Sequence, residues 1–120
     1  MKPVRLVLPE PPSVNRVWRK GKGGRMYLNP RAAAFYGAVQ AAVLRAGITR
    51  VRFTADVPVT YALTWYRARK TGDLSNRIKC FEDSLNGLVW ADDRQVVSFS
   101  ARRVDGERPA RLEVVVERAA

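Results

Sequence analysis

From Lys70 to Val97 the chain reads KTGDLSNRIKCFEDSLNGLVWADDRQVV, and the reading of this stretch decides the fold around it. Asp73 stands at a helix entry, with the helix starting near Ser75, and apolar residues recur at Ile78, Phe81, Leu85 and Leu88 as a buried stripe. The Asn86-Gly87 pair ends the helix, because glycine accepts the positive φ that follows a last turn. Asn76, Lys79 and Asp83 share a different face of the same helix. Asp92-Asp93 then leads into a long extended run, RQVVSFSARRV.

Working outward, Val4, Leu6 and Leu8 alternate with Arg5 and Val7, which predicts a short strand stopped by Pro9. PEPPSVN forbids a regular ladder, since proline has no N–H to donate. WRKGKGGRMYLN is glycine-rich and basic and reads as a flexible loop or loose hairpin. Asn29-Pro30 opens a helix that buries Phe35, Val39, Ala42 and Val43 and stops at Gly47. Val57, Val59, Tyr61, Leu63 and Trp65 alternate in strand period, and the basic loop RARKTG delivers the chain to Asp73. The turn DGERPA separates RQVVSFSARRV from RLEVVVE and predicts that these two strands form a hairpin. The expectation is an α+β fold with the order β-α-β-α-β-β. One compact domain over residues 1–120 carries a mixed sheet with two main helices packed on it.

Composition narrows the function. Twenty-two Lys and Arg against 11 Asp and Glu leave a net charge of +11, which favours a phosphate backbone as partner through counterion release. There is no histidine, which removes histidine bases and His-containing zinc sites. Cys80 is the single cysteine, so no internal disulfide forms, and its apolar surroundings predict a buried thiol rather than a nucleophile. No apolar run is long enough for a membrane span, and MKPVRLVLPEPP lacks a signal-peptide core, so no membrane partner and a cytoplasmic location are expected. A GxxxxGK[ST] loop is missing, so no nucleotide cofactor is expected.

Acidic residues in so basic a chain oppose a polyanion unless they hold a divalent cation. Each has an ordinary use as well: Asp73 as a helix cap, Asp92-Asp93 as a polar turn. Jointly they predict a magnesium site, because Mg2+ takes oxygen ligands and needs only one or two carboxylates plus substrate phosphate. Asp73 and Asp93 are the minimal ligands, with Asp92 or Asp83 completing the set, if both ends of the helix converge at one edge of the sheet. Such an ion polarises a phosphodiester and lowers the pKa of an attacking water without histidine. Lys79 is the candidate contact to the scissile phosphate. Arg19, Lys20, Lys22 and Arg25 of the glycine-rich segment are candidates for tracking a phosphate backbone.

The combination PPSVN, then Asp73-Leu74-Ser75-Asn76 with Lys79, then Asp92-Asp93-Arg94-Gln95-Val96, resembles the RusA family of Holliday-junction resolvases, many of them prophage-encoded, over nearly the whole chain. The resemblance implies a dimeric, Mg2+-dependent endonuclease of DNA recombination and repair that nicks a four-way junction in two strands. It implies Asp73, Lys79 and Asp93 as catalytic residues. Asn15, Arg69, Lys70, Asn76 and Arg77 join the basic segment as expected DNA contacts. The family pattern reads Asp-x-Asp-Asn, so Ser75 replaces a metal-binding carboxylate. Asp83 or Asp92 is expected to compensate, or the Ser75 hydroxyl to ligate. Two other readings stand beside this one: a non-catalytic junction-binding protein of the same fold, and a basic ribonuclease or RNA-binding module.

Overall fold

The elements run β1 (Val4–Pro9), β2 (Trp18–Lys20), β3 (Met26–Leu28), α1 (Pro30–Arg45), β4 (Val59–Arg67), α2 (Leu74–Leu85), β5 (Val96–Asp105) and β6 (Arg111–Arg118). They come from a computed structural model that describes residues 2–12, 18–24, 26–70 and 72–120. Four strands form one mixed sheet in the order β1-β6-β4-β5, and β2 and β3 form a separate antiparallel pair, the hairpin of the two forms expected there.

The unit that positions the site is β4-α2-β5. A helix between two strands returns the chain along the strand it has just left, so β5 runs parallel to β4, with Thr60 beside Ser98 and Arg67 beside Asp105. The expected hairpin between β5 and β6 is therefore not formed. β6 instead pairs antiparallel with both β4 and β1 and takes an interior place in the sheet. Burial explains the exchange. Leu112, Val114 and Val116 of β6 are core residues, whereas SFSARR in β5 is mostly exposed and suits an edge.

Strand alternation places Val59, Tyr61, Leu63 and Trp65 of β4 on the helix-covered face, opposite Val4, Leu6 and Leu8 of β1 across β6. α1 adds Ala32, Phe35, Val39, Ala42 and Val43 to this core, its first turn capped by Asn29 Oδ1 accepting from Arg31 N at 2.8 Å. Gly47 at φ 82° ends the helix as expected. α2 buries Cys80, Phe81, Ser84 and Leu85, with Ile78 only half-buried, so its core stripe is turned slightly from the expected one. Cys80 is buried and its thiol is pushed up to about 11 by desolvation, which suits a packing residue and not a nucleophile. Among the described residues no helix is long and apolar enough to cross a membrane.

Candidate active site

Gly72, at φ 94°, turns the chain from the β4 exit into α2. Arg67 holds this turn: its Nη1 donates to the Gly72 carbonyl at 3.1 Å, while Nε and Nη2 grip Asp105 at 2.9 and 3.0 Å. Asp73 occupies the cap position but its side chain makes no capping bond, and it is exposed. The ordinary use of this acid is thus not what the geometry shows. Its carboxylate is available.

Beyond α2, Gly87 at φ 81° donates its N–H to the Trp90 carbonyl at 2.7 Å and turns the chain back under the helix. Trp90 is fully buried, stacked on Tyr61 with ring centroids 5.9 Å apart. From there its Nε1 donates to Asp93 Oδ1 at 2.8 Å. Tyr61 in turn donates its hydroxyl to Glu82 Oε2 at 2.5 Å. Burial and the Glu82 carboxylate drive the Tyr61 phenol far above its ordinary value, so it remains a donor throughout the usable pH range. Glu82 and Asp93 line one cleft of about 360 Å³ whose other wall is Val96 to Phe99.

Lys79, one turn before Asp83, pairs with it at 2.7 Å. That bond, with Asp93 and Glu82 nearby, holds the lysine above its ordinary value and charged. Both partners are well exposed, so the pair is weak and a phosphate can take over the ammonium.

Asp92 serves a different purpose. Its side chain accepts from Arg94 N and Gln95 closes a reciprocal capping box on Asp92 N. The Arg94 backbone and guanidinium bonds hold the Asp92 carboxyl below its ordinary range. Buried Gln95 spends its amide nitrogen on the carbonyls of Phe53, Thr54 and Val57. The Asp-Asp-x-Gln-Val element is in large part a staple that fixes where Asp93 points.

Asp73 and Asp93 stand at opposite ends of the β4-α2-β5 unit. Parallel pairing puts the β5 entry beside the β4 entry, whereas Asp73 follows the β4 exit. Asp93 shares its cleft with Glu82, which lies nine residues along from Asp73, or about 13 Å of helix. Two oxygens on one Mg2+ lie at most about 4 Å apart. Among the described residues no three Asp, Glu or Cys side chains are grouped to enclose a metal ion.

The expected DNA contacts divide. Arg69 and Lys70 are exposed in the basic loop. Asn76 is half-buried on α2. Arg77 is turned inward, over the Trp65 ring at 5.2 Å and donating to the Pro11 carbonyl, and works as a packing residue. Asn15 and Arg25, with the side chains of Arg19, Lys20 and Lys22, lie outside the described residues.

Sequence reasoning passed over Glu82, and over Tyr61 and Trp90 as hydrogen-bond donors. The available signal was spacing: Glu82 is three residues after Lys79 and so neighbours it on the helix. Nothing local marks Tyr61 or Trp90 as donors, because both read as core.

The family model described as Endodeoxyribonuclease RusA matches residues 9–117 of the 120-residue chain. A search of curated proteins finds no match.

Proposed function

The chain belongs to the RusA endodeoxyribonuclease family, a family of nucleases that act on DNA junctions, and on that footing we propose that it is a magnesium-dependent enzyme resolving four-way junctions by paired nicking. One observation carries the proposal: Asp93, aimed by Trp90, opens onto a cleft beside the charged Lys79. A carboxylate with one oxygen fixed and the other free has the right donor chemistry for Mg2+, which is usually held by one or two carboxylates and by substrate phosphate. When bound, the ion supplies Lewis acidity at the phosphodiester and a nucleophile at neutral pH.

The chain's own residues do the rest. Lys79 leaves its exposed bond with Asp83, contacts the scissile phosphate and offsets charge developing there. Asp93 positions the cation. Asp73, free and exposed at the α2 entry, remains the further candidate metal ligand of the expected set, with Ser75 and Asn76 beside it and Arg69 and Lys70 as contacts to the DNA backbone. Paired nicking requires two such sites, and a twofold homodimer is the simplest assembly that presents them. The reading places the protein in the cytoplasm, in DNA recombination and repair.

The test is cleavage of a synthetic four-way junction with and without Mg2+. Parent protein cuts two strands only with the cation. Asp93→Asn and Asp73→Asn bind the junction but lose cutting by at least 100-fold. If either variant cuts like the parent, that residue's assignment is wrong. Ser75, where the matching family motif has a carboxylate, supports a second reading, a junction-binding protein without cleavage. Salt-sensitive binding with no cutting in Mg2+ or Mn2+ decides for it.

A further inference from the structure

We infer that Glu82 is the second carboxylate of the cation site, coordinating beside Asp93. This rests on the reading of the cleft as the metal site and adds a ligand that the motif Asp73, Ser75, Lys79, Asp93 does not contain.

Two acids near one another are not a site. Here, however, each is oriented by a buried aromatic donor, and the donors are locked together. Tyr61 is 2% exposed and Trp90 0% exposed, and their rings stack at 5.9 Å with planes 17° apart. Phe81 meets both rings edge-on, at 5.1 and 6.4 Å, and Phe99 also stacks on Tyr61, at 5.1 Å. The Tyr61 hydroxyl takes Glu82 Oε2 and the Trp90 N–H takes Asp93 Oδ1. Glu82 Oε1 and Asp93 Oδ2 receive no hydrogen bond from any described residue, and both side chains line the same cleft.

Metal-ligating carboxylates characteristically have one oxygen held by an outer partner, which fixes the direction of the other. A carboxylate serving only as a surface charge has no need of a buried phenol. Nor is either acid neutralised by a direct ion pair: Lys79 takes Asp83, and Arg94 takes Asp92. The cleft therefore keeps two unpaired negative charges in a chain of net +11, the donor number that a hydrated, phosphate-bridged Mg2+ requires. Glu82 thus supplies from the α2 exit a charge that Ser75 does not supply from its entry.

Terbium is a suitable probe, because it takes oxygen ligands and is sensitised by an adjacent indole, here Trp90. Tb3+ titrated into the intact protein without DNA should give saturable, indole-excited emission that Mg2+ displaces. Glu82→Gln, which keeps an oxygen for the Tyr61 hydroxyl, should weaken Tb3+ binding at least tenfold, as should Asp93→Asn. Glu113→Gln, outside the cleft, should leave it unchanged. Tyr61→Phe, with Glu82 intact but unaimed, should weaken it by a smaller factor. If Glu82→Gln binds like the parent while Asp93→Asn does not, the Glu82 inference is overturned and the cation reading stands. If both bind like the parent, or the parent gives no Mg2+-displaceable emission, the cleft is not the metal site and both fall.

Discussion

Trp90 Nε1 and Asp93 Oδ1 lie 2.8 Å apart, so a fully buried indole sets the direction of an acid at the mouth of the cleft. The link makes Trp90 a positioning residue as well as a core residue. Trp90→Phe keeps a ring against Tyr61 and removes only the donor and some volume. Losing such an outer partner costs about 10–100-fold in metal affinity or activity. The expected outcome is a fall of that size in junction cutting and in Tb3+ affinity, with junction binding kept. Filter-binding and cleavage assays on the same preparation check it.

Gln95 is the second place where a motif residue acts through structure. Its amide reaches three carbonyls of the 53–57 segment while its oxygen accepts from Asp92 N. Gln95→Leu removes these bonds and strands buried groups, each at about 1–3 kcal/mol. Denaturant unfolding should show a loss of about 3 kcal/mol or more, and the folded fraction should have weakened cation binding through displaced Asp93. A variant as stable as the parent would remove Gln95 from this account.

Much of this was legible in the chain. Alternation located β1 and β4, Asn29-Pro30 and Gly47 bounded α1, and Asn86-Gly87 ended α2, because each signal is local: a cap, a positive φ, a period. The pairing of β5 and β6 was not legible. DGERPA is a fair turn, but which strands pair is decided by burial, and β6 has the three core residues that need an interior position. The site divided in the same way. Asp93 and Lys79 are candidates from their motif alone, whereas Glu82 becomes notable only when β4 brings Tyr61 beneath it from 21 residues away.

Arg67 and Asp105, the last register pair of β4 and β5, predict the acid response of the fold. The Arg67 guanidinium bonds, with Arg103 adjacent, hold the Asp105 carboxyl below its usual range. Because the folded value lies below the unfolded one, this contribution is complete above about pH 4 and is lost as pH falls through the folded value. Asp92 and Asp56 are shifted in the same direction, Asp92 by its Arg94 bonds and Asp56 by the Thr54 hydroxyl, so stability falls on the acid side. Asp105→Asn should be less stable at pH 7 and lose less on acidification. Thermal midpoints of both proteins between pH 2.5 and 7 test this, and parallel curves would contradict it.

Ser75 and Lys79 are one helical turn apart on α2, so Ser75→Asp places a carboxylate next to the lysine at the helix entry. There it also meets the favourable end of the helix dipole, and the pairing adds about 0.2–0.5 kcal/mol, so folding should be unharmed. The effect on function separates two ways the chain can manage without that acid. If Glu82 and Asp93 already form a sufficient site, the new carboxylate adds charge along the strip toward Asp73, and cutting is kept or rises several-fold while Tb3+ affinity in the cleft changes less than twofold. A clear loss of cutting would instead show that the helix entry works only with a neutral residue facing Lys79, through competition for an ammonium the phosphate needs. Single-turnover cleavage of a four-way junction at saturating Mg2+, compared between Ser75→Asp and the parent, gives the answer directly, since binding and product release do not then limit the rate.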